Sequence, residues 1–294
     1  MKERRKLNVS FYFLLVLSLL SCYNYHGEND MKKRVISAII ALIICIPLLI
    51  IGGYPFYVGV SILSVIGYYE IINIRERERK VPLLIKLIGL VTYLMIVLNN
   101  VVSSNIFYID YKVLALTAFL LMLPIIFFDR KKYNVNDALY LIGTSIFLGI
   151  TFNFLMIFRN IDINYLIYIL LITIMTDTFA HFFGTKLGKI KLCPKISPNK
   201  TVEGALGGTF FGTFIGVVYF LTFIKVDAHI IAIVLISLFL SIMAQFGDLF
   251  FSSVKRKYGV KDYGNIMPGH GGVLDRVDSL LFAILAFTFA ITFF

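Results

Sequence analysis

Four carboxylates stand at the margins of apolar runs, where a membrane-bound chain has reason to avoid them: Asp177, Asp248, Asp275 and Asp278. An ionised Asp at the centre of a membrane helix costs about 2.5–3.5 kcal/mol, so acids in such runs usually mark function. At a helix end the cost is smaller, and burial alone does not make a site. Spacing adds to the argument. Asp275 and Asp278 lie three apart and share a helical face, as do Gln245, Asp248 and Ser252. Two such faces meeting would offer hard oxygen ligands of the kind Mg²⁺ accepts. Acids in a first turn also cap helices, so N-capping by Asp275 or Asp278 accounts for the spacing as well.

Cations and glycines share the same two segments, 176–208 and 245–278. Lys200, Lys255, Arg256, Lys261 and Arg276 are placed to hold phosphates, Arg as a bidentate fork and Lys as a point charge. Mg²⁺ on a few carboxylates, ringed by Lys and Arg, is the arrangement that holds a nucleoside triphosphate. Topology and anionic headgroups also produce basic loops. They do not explain acids and glycines interleaved with the cations. No G-x-x-x-x-G-K-[ST] is present, so a P-loop is not implied. His270, followed by Gly271 and Gly272, reads as a hinge contacting phosphate or substrate.

The elements that must position these residues are membrane spans. The chain has 294 residues, 59% of them hydrophobic and 15% charged, with a mean hydropathy of +0.87. Soluble domains carry about 25% charged residues. The fold class is therefore an all-α polytopic integral membrane protein. About nine spans can be drawn after Met31, near 33–51, 55–74, 83–101, 112–128, 138–157, 165–182, 204–224, 229–249 and 277–294. Between them, cations crowd one side, in 32–34, 75–80, 130–132, 183–203 and 251–276, against Lys112, Arg159 and Lys225 on the other. The positive-inside rule puts the crowded side, and with it both candidate site loops, in the cytoplasm. The formal net charge of +11 is spread over these loops. It reads as topology plus an anionic ligand, with no nucleic acid expected. Residues 1–30 resemble a leader, "MKERRKLNVSFYFLLVLSLLSC", or an over-extended start; the second is favoured because Met31 opens a natural first span. The remainder, 31–294, reads as a single transmembrane catalytic domain. Cys22, Cys45 and Cys193 show no paired spacing and indicate neither a disulfide framework nor a zinc site.

The segment "SSVKRKYGVKDYGNIMPGHGGVLDRVD", Ser252 to Asp278, resembles the signature of the phosphatidate cytidylyltransferases, the CDP-diglyceride synthases. That pattern runs through Ser252, Lys255-Arg256, Lys261-Asp262, a small residue, His270-Gly271-Gly272, Asp275-Arg276 and Asp278, with every fixed position filled. "SPNKTVEG", Ser197 to Gly204, is similar to the second motif of that family. Around Asp177 the likeness is looser, with Phe179 and His181 where the family commonly has a small residue and an aromatic. The resemblance implies CTP and phosphatidic acid as substrates, CDP-diacylglycerol and pyrophosphate as products, and the cytoplasmic membrane as the setting. It also implies a homodimer and a divalent ion, with K⁺ as a candidate second ion. On this reading Asp248 and Asp275 hold Mg²⁺, Asp278 supports them and Asp177 is a further candidate. Lys200, Lys255, Arg256 and Arg276 grip phosphates, with Lys261, His270, Gly271 and Gly272 alongside, while Ser197, Thr201 and Glu203 shape the site. A cytidylyltransferase for a prenyl-type lipid phosphate, or an ion-coupled transporter, stands as the alternative. The CDP-alcohol phosphotransferases need an Asp-Gly-x-x-Ala-Arg block that this sequence lacks.

Overall fold

The computed structural model describes residues 40–41, 43–101, 110–226, 228–266 and 271–291. The leader-like residues 1–30, the proposed start at Met31 and His270 lie outside them. A helical segment at 43–51 is followed by α1 (Gly53–Arg75), α2 (Leu83–Val97), α3 (Tyr111–Met122), α4 (Pro124–Phe127), α5 (Val135–Ile161) and α6 (Ile163–Leu187). A short antiparallel hairpin, β1 (Lys191–Cys193) with β2 (Ser197–Thr201), then leads into α7 (Val202–Phe223), α8 (Ile230–Lys257) and α9 (Leu274–Ala290).

The chain is helical and multi-pass, as its apolar runs require. Among the described residues five helices, α1, α5, α6, α7 and α8, are long and apolar enough to cross a membrane. This is fewer than the expected nine. Helices also stand at 83–101 and 112–128 and over the described part of 277–294, but α2 has 15 residues and α9, as far as it is described, has 17. The run at 112–128 is broken at Leu123, ahead of Pro124, which has no N–H to continue the ladder. The first expected span, 33–51, lies partly outside the described residues.

The helices α3, α5, α6 and α7 start on side-chain caps. At the start of α5, Asn134 Oδ1 accepts from the Asp137 amide at 3.0 Å while Asp137 Oδ2 accepts from the Asn134 amide at 3.2 Å. Asp137 is almost fully buried and also takes Arg75 at 2.7 Å, which ties α1 to α5. At the opposite end Arg159 donates to the Leu49 and Ile50 carbonyls, closing the last turn of the 43–51 segment.

Two packed cores hold the bundle. One joins α1, α2 and α5 through Tyr68, Ile85, Tyr93 and Phe152, and it takes in Phe251, Tyr263 and Leu274. The other joins α5 to α9 through Phe158, Ile169, Phe220, Leu240 and Phe287. Among the described residues the buried hydroxyls find partners, as apolar surroundings demand, with Thr213 Oγ1 on α7 the exception. Tyr168 pairs with Ser237 and Thr176 with Ser241, each at 2.7 Å. The α6–α7 contact is set by Gly204, Gly208, Gly212 and Gly216, four residues apart on one face of α7. A Cβ on Gly208 would lie 2.5 Å from the Thr176 carbonyl oxygen, so only glycine admits this approach. The opposite face of α7 exposes Leu206, Phe210, Phe214 and Val218, as a lipid-facing surface would.

Candidate active site

The acids and cations meet at one end of the bundle, where α1, α6 and α8 finish and α5, α7 and α9 begin. α8 has 28 residues, a length of about 42 Å against a hydrocarbon core of about 30 Å. Its last turns therefore stand clear of the apolar zone and carry Asp248, Ser252, Lys255 and Arg256 on a rigid helix. The loop expected over 251–276 is thus helical up to Lys257 and again from Leu274, with an irregular stretch between.

Asp248 forms an ion pair with Lys200 of β2 and accepts from Ser252 Oγ at 3.3 Å. Asp177, exposed on α6, is hydrogen-bonded by Ser279 and lies within electrostatic reach of Asp248 and Lys200. Asp278, whose Oδ1 accepts from the Ser279 amide at 2.8 Å, faces Asp248, Asp177 and Lys255. Asp177, Asp248 and Asp278 thus form one mutually repelling group, offset by Lys200 and Lys255. Gln245 does not join it. Its amide donates to the Ala205 carbonyl at 3.2 Å and to Thr209 Oγ1 at 2.8 Å, fastening α8 to α7.

Asp275 stands differently. Its Oδ1 accepts from Lys255 Nζ at 2.7 Å, and its Oδ2 accepts from the amides of Tyr263 at 2.7 Å and Gly272 at 2.9 Å. Side-chain exposure is 10% for Lys255 and 4% for Asp275, so the pair is buried and its extra hydrogen bonds offset its desolvation. Gly271 adopts φ +85, a region that suits glycine. Tyr263 packs edge-on to Phe251 and donates to the Phe251 carbonyl at 3.1 Å. Burial first, then Tyr140 and Asp275, pushes the Tyr263 phenol up, so it stays protonated and keeps that bond.

The remaining candidates serve the frame. Thr201 is buried and caps α7 through the Gly204 amide at 3.2 Å, and Glu203 accepts from the Ile190 amide at 3.2 Å. Both fasten the hairpin that presents Lys200. Ser197 opens β2 half-buried. Arg256 donates from Nε to the Ile196 carbonyl at 3.2 Å and from Nη1 to the Val260 carbonyl at 3.0 Å, pinning the hairpin to α8. Lys261 and Arg276 are exposed, the first in the loop and the second in the first turn of α9.

Sequence reasoning missed Glu70 of α1. Its carboxylate accepts from the amides of Val273 and Leu274, both at 2.9 Å. The signal was present: an acid within an apolar run of α1, the same cue that singled out the aspartates.

A cation would fit here in a particular way. Among the described residues no three acidic, imidazole or thiol groups enclose a metal position by themselves. Mg²⁺ ordinarily takes one or two carboxylates and completes its shell with water and substrate phosphates. Grouped aspartates with Lys beside them suit an ion that arrives with, or is completed by, a polyphosphate.

Residues 32–294 match the cytidylyltransferase family. The phosphatidate cytidylyltransferase of Bacillus subtilis (strain 168) is 34% identical over 272 residues, covering 90% of this chain and 99% of that protein. The phosphatidate cytidylyltransferase of Staphylococcus aureus (strain COL) is 36% identical over 255 residues, 86% of this chain and 96% of that one. That of Staphylococcus haemolyticus (strain JCSC1435) is 35% identical over the same shares.

Proposed function

Because the chain belongs to the cytidylyltransferase family, we propose that it transfers CMP from CTP to phosphatidic acid, forming CDP-diacylglycerol and pyrophosphate. The observation that carries this reading is the acid–cation cluster of Lys200, Asp248, Lys255, Asp275 and Asp278, buried or half-buried, with the exposed Asp177 beside it, built on the ends of apolar helices. One substrate is half lipid. Its acyl chains stay beside the helices while its head group reaches the polar end.

A phosphate oxygen of the lipid attacks the α-phosphorus of CTP, and the bond from that phosphorus to the β-phosphate bridge oxygen breaks. The second pKa of a phosphate monoester is about 6, so near neutrality the nucleophile is already a dianion and no general base is required. The obstacle is charge: one anion must approach another. Lys200 and Lys255 bring fixed positive charge to the point where Asp248 and Asp275 hold them. Arg256, Lys261 and Arg276 add further positive charge on the same stretch of chain, from the end of α8 to the start of α9. Fixed charges that need not reorganise are worth more in a partly dehydrated groove than in water. The hairpin residues Ser197, Thr201 and Glu203 shape the wall that presents Lys200, and Gly271 and Gly272 let backbone close on the Asp275 and Glu70 carboxylates.

Mg²⁺ would be held by Asp248 with Asp177 and Asp278, and it would supply charge that screens the reacting phosphates and steadies the departing pyrophosphate. Asp275 could reach it only through the Oδ1 already shared with Lys255. We place the site on the cytoplasmic face from the asymmetry of Lys and Arg between spans, and we carry the homodimer forward from the family resemblance.

Purified protein supplied with CTP, Mg²⁺ and either phosphatidic acid or a prenyl phosphate tests the substrate. Turnover confined to phosphatidic acid supports the reading. Turnover confined to the prenyl phosphate replaces it with the alternative.

A further inference from the structure

We propose that Glu70 is a positioning residue for this reaction, holding the first turn of α9, and with it Asp275, Arg276 and Asp278, at the angle turnover requires. The proposal rests on the reaction given above. Glu70 lies on α1, more than 200 positions before its partners, and is 3% exposed. Each carboxylate oxygen accepts one amide of the α9 N-terminus, Oε1 from Val273 and Oε2 from Leu274. The preceding amide, that of Gly272, goes to Asp275. Three successive N–H groups are therefore divided between two carboxylates, one of them in the proposed site and the other on a distant helix.

The cap position of α9, Val273, has no side-chain cap of its own. A local Ser, Thr or Asp is the ordinary solution at a helix start, and it does not oblige the chain to bury an acid in an apolar helix. Glu70 does something a local cap cannot: it fixes α9 to α1. The loop closes directly over it. A Cβ on Gly264 would lie 2.7 Å from Oε1, and one on Gly272 would collide with both oxygens. The two glycines leave the space that the carboxylate fills. Charge-assisted bonds at a helix N-terminus are strong and directional, so a shift at Glu70 passes to the turn carrying Asp275 and Asp278.

Glu70→Gln tests this, because it keeps the volume but turns one acceptor into a donor facing an amide N–H. In CTP and phosphatidic acid assays kcat is expected to fall about 10- to 100-fold, with KM for CTP changed by less than about threefold. Glu70→Asp, which keeps both acceptors, should recover part of that loss, and Glu70→Ala should not. Hydrogen exchange in the peptide spanning residues 271–276 should speed up in the Gln variant. Ile233→Ala, a cavity in the other core, serves as the control for general destabilisation and should keep a near-normal kcat. The inference is overturned if Glu70→Gln turns over within about twofold of the parent, if exchange at 271–276 is unchanged, or if Ile233→Ala loses kcat in proportion to its thermal midpoint as Glu70→Gln does. A parent chain that makes no lipid nucleotide sinks the reaction itself and the turnover role with it. In that case the exchange measurement still reports on the hold of Glu70 over α9.

Discussion

Replacing Asp275 with Asn perturbs a carboxylate with almost no spare capacity. Lys255 occupies Oδ1 at 2.7 Å, and the Tyr263 and Gly272 amides occupy Oδ2 at 2.7 and 2.9 Å. An Asn must point its NH₂ either at the Lys255 ammonium or at the two backbone N–H groups, and in both cases donor meets donor. If the oxygen stays on the backbone, Lys255 keeps a charge with its side chain only 10% exposed and its counter-ion gone. Breaking a buried pair from one side costs about 3–5 kcal/mol. At 1.36 kcal/mol per decade, even the lower figure leaves roughly a hundredfold fewer molecules with the loop in its working arrangement. Initial rates at saturating CTP, phosphatidic acid and Mg²⁺ should fall by about that factor, while the variant still inserts and elutes as the parent does. The double variant Asp275→Asn, Lys255→Met should melt higher than Asp275→Asn alone, because removing both partners leaves no unpaired buried charge. Near-normal turnover by Asp275→Asn would refute the reasoning.

Other outcomes follow from the same geometry. Asp248→Asn should raise the Mg²⁺ concentration giving half-maximal rate by about tenfold or more, since it removes the central member of the carboxylate group; an unchanged Mg²⁺ titration contradicts that placement. Gly208→Ala puts a methyl 2.5 Å from the Thr176 carbonyl oxygen and should cost about 1–3 kcal/mol, read as a lower thermal midpoint in detergent with the substrate KM values unchanged. The rate at subsaturating phosphatidic acid should rise with pH up to about 6 and then level off, as the lipid phosphate loses its second proton. A rise that continues well above that point would require a proton acceptor on the protein.

Much of this was legible in the sequence, for a physical reason. Hydropathy reports which residues leave water, so each apolar run that the structure describes falls on a helix. It does not report where the backbone ladder stops. α8 runs on to Lys257 and α6 to Leu187, because hydrogen bonding continues after apolarity ends. Asp248, Ser252 and Lys255 consequently share one rigid element, where a partly loop-borne site was expected. The hairpin was invisible for a related reason. "KLC" and "SPNKT" show no strand alternation, and their pairing depends on contacts such as Val202 N–H to the Ile190 carbonyl and Glu203 to the Ile190 amide. Asp275 was open to two readings, ligand or cap. Its bond to the Gly272 amide shows it fastening the α9 start, which spacing alone could not decide. Gln245 shared a face with Asp248 as expected, yet α7 claims its amide.

The central claim is that two phosphate-bearing molecules, one dissolved and one anchored in lipid, exchange a nucleotidyl group at this end of the bundle. CTP labelled on the α-phosphate in one reaction and on the γ-phosphate in another, each with phosphatidic acid and Mg²⁺, tests it most directly. The α label should enter the lipid phase and the γ label should appear as pyrophosphate, in equal amounts. A lipid phase that gains no α label, or a γ label released as inorganic phosphate, would contradict the account.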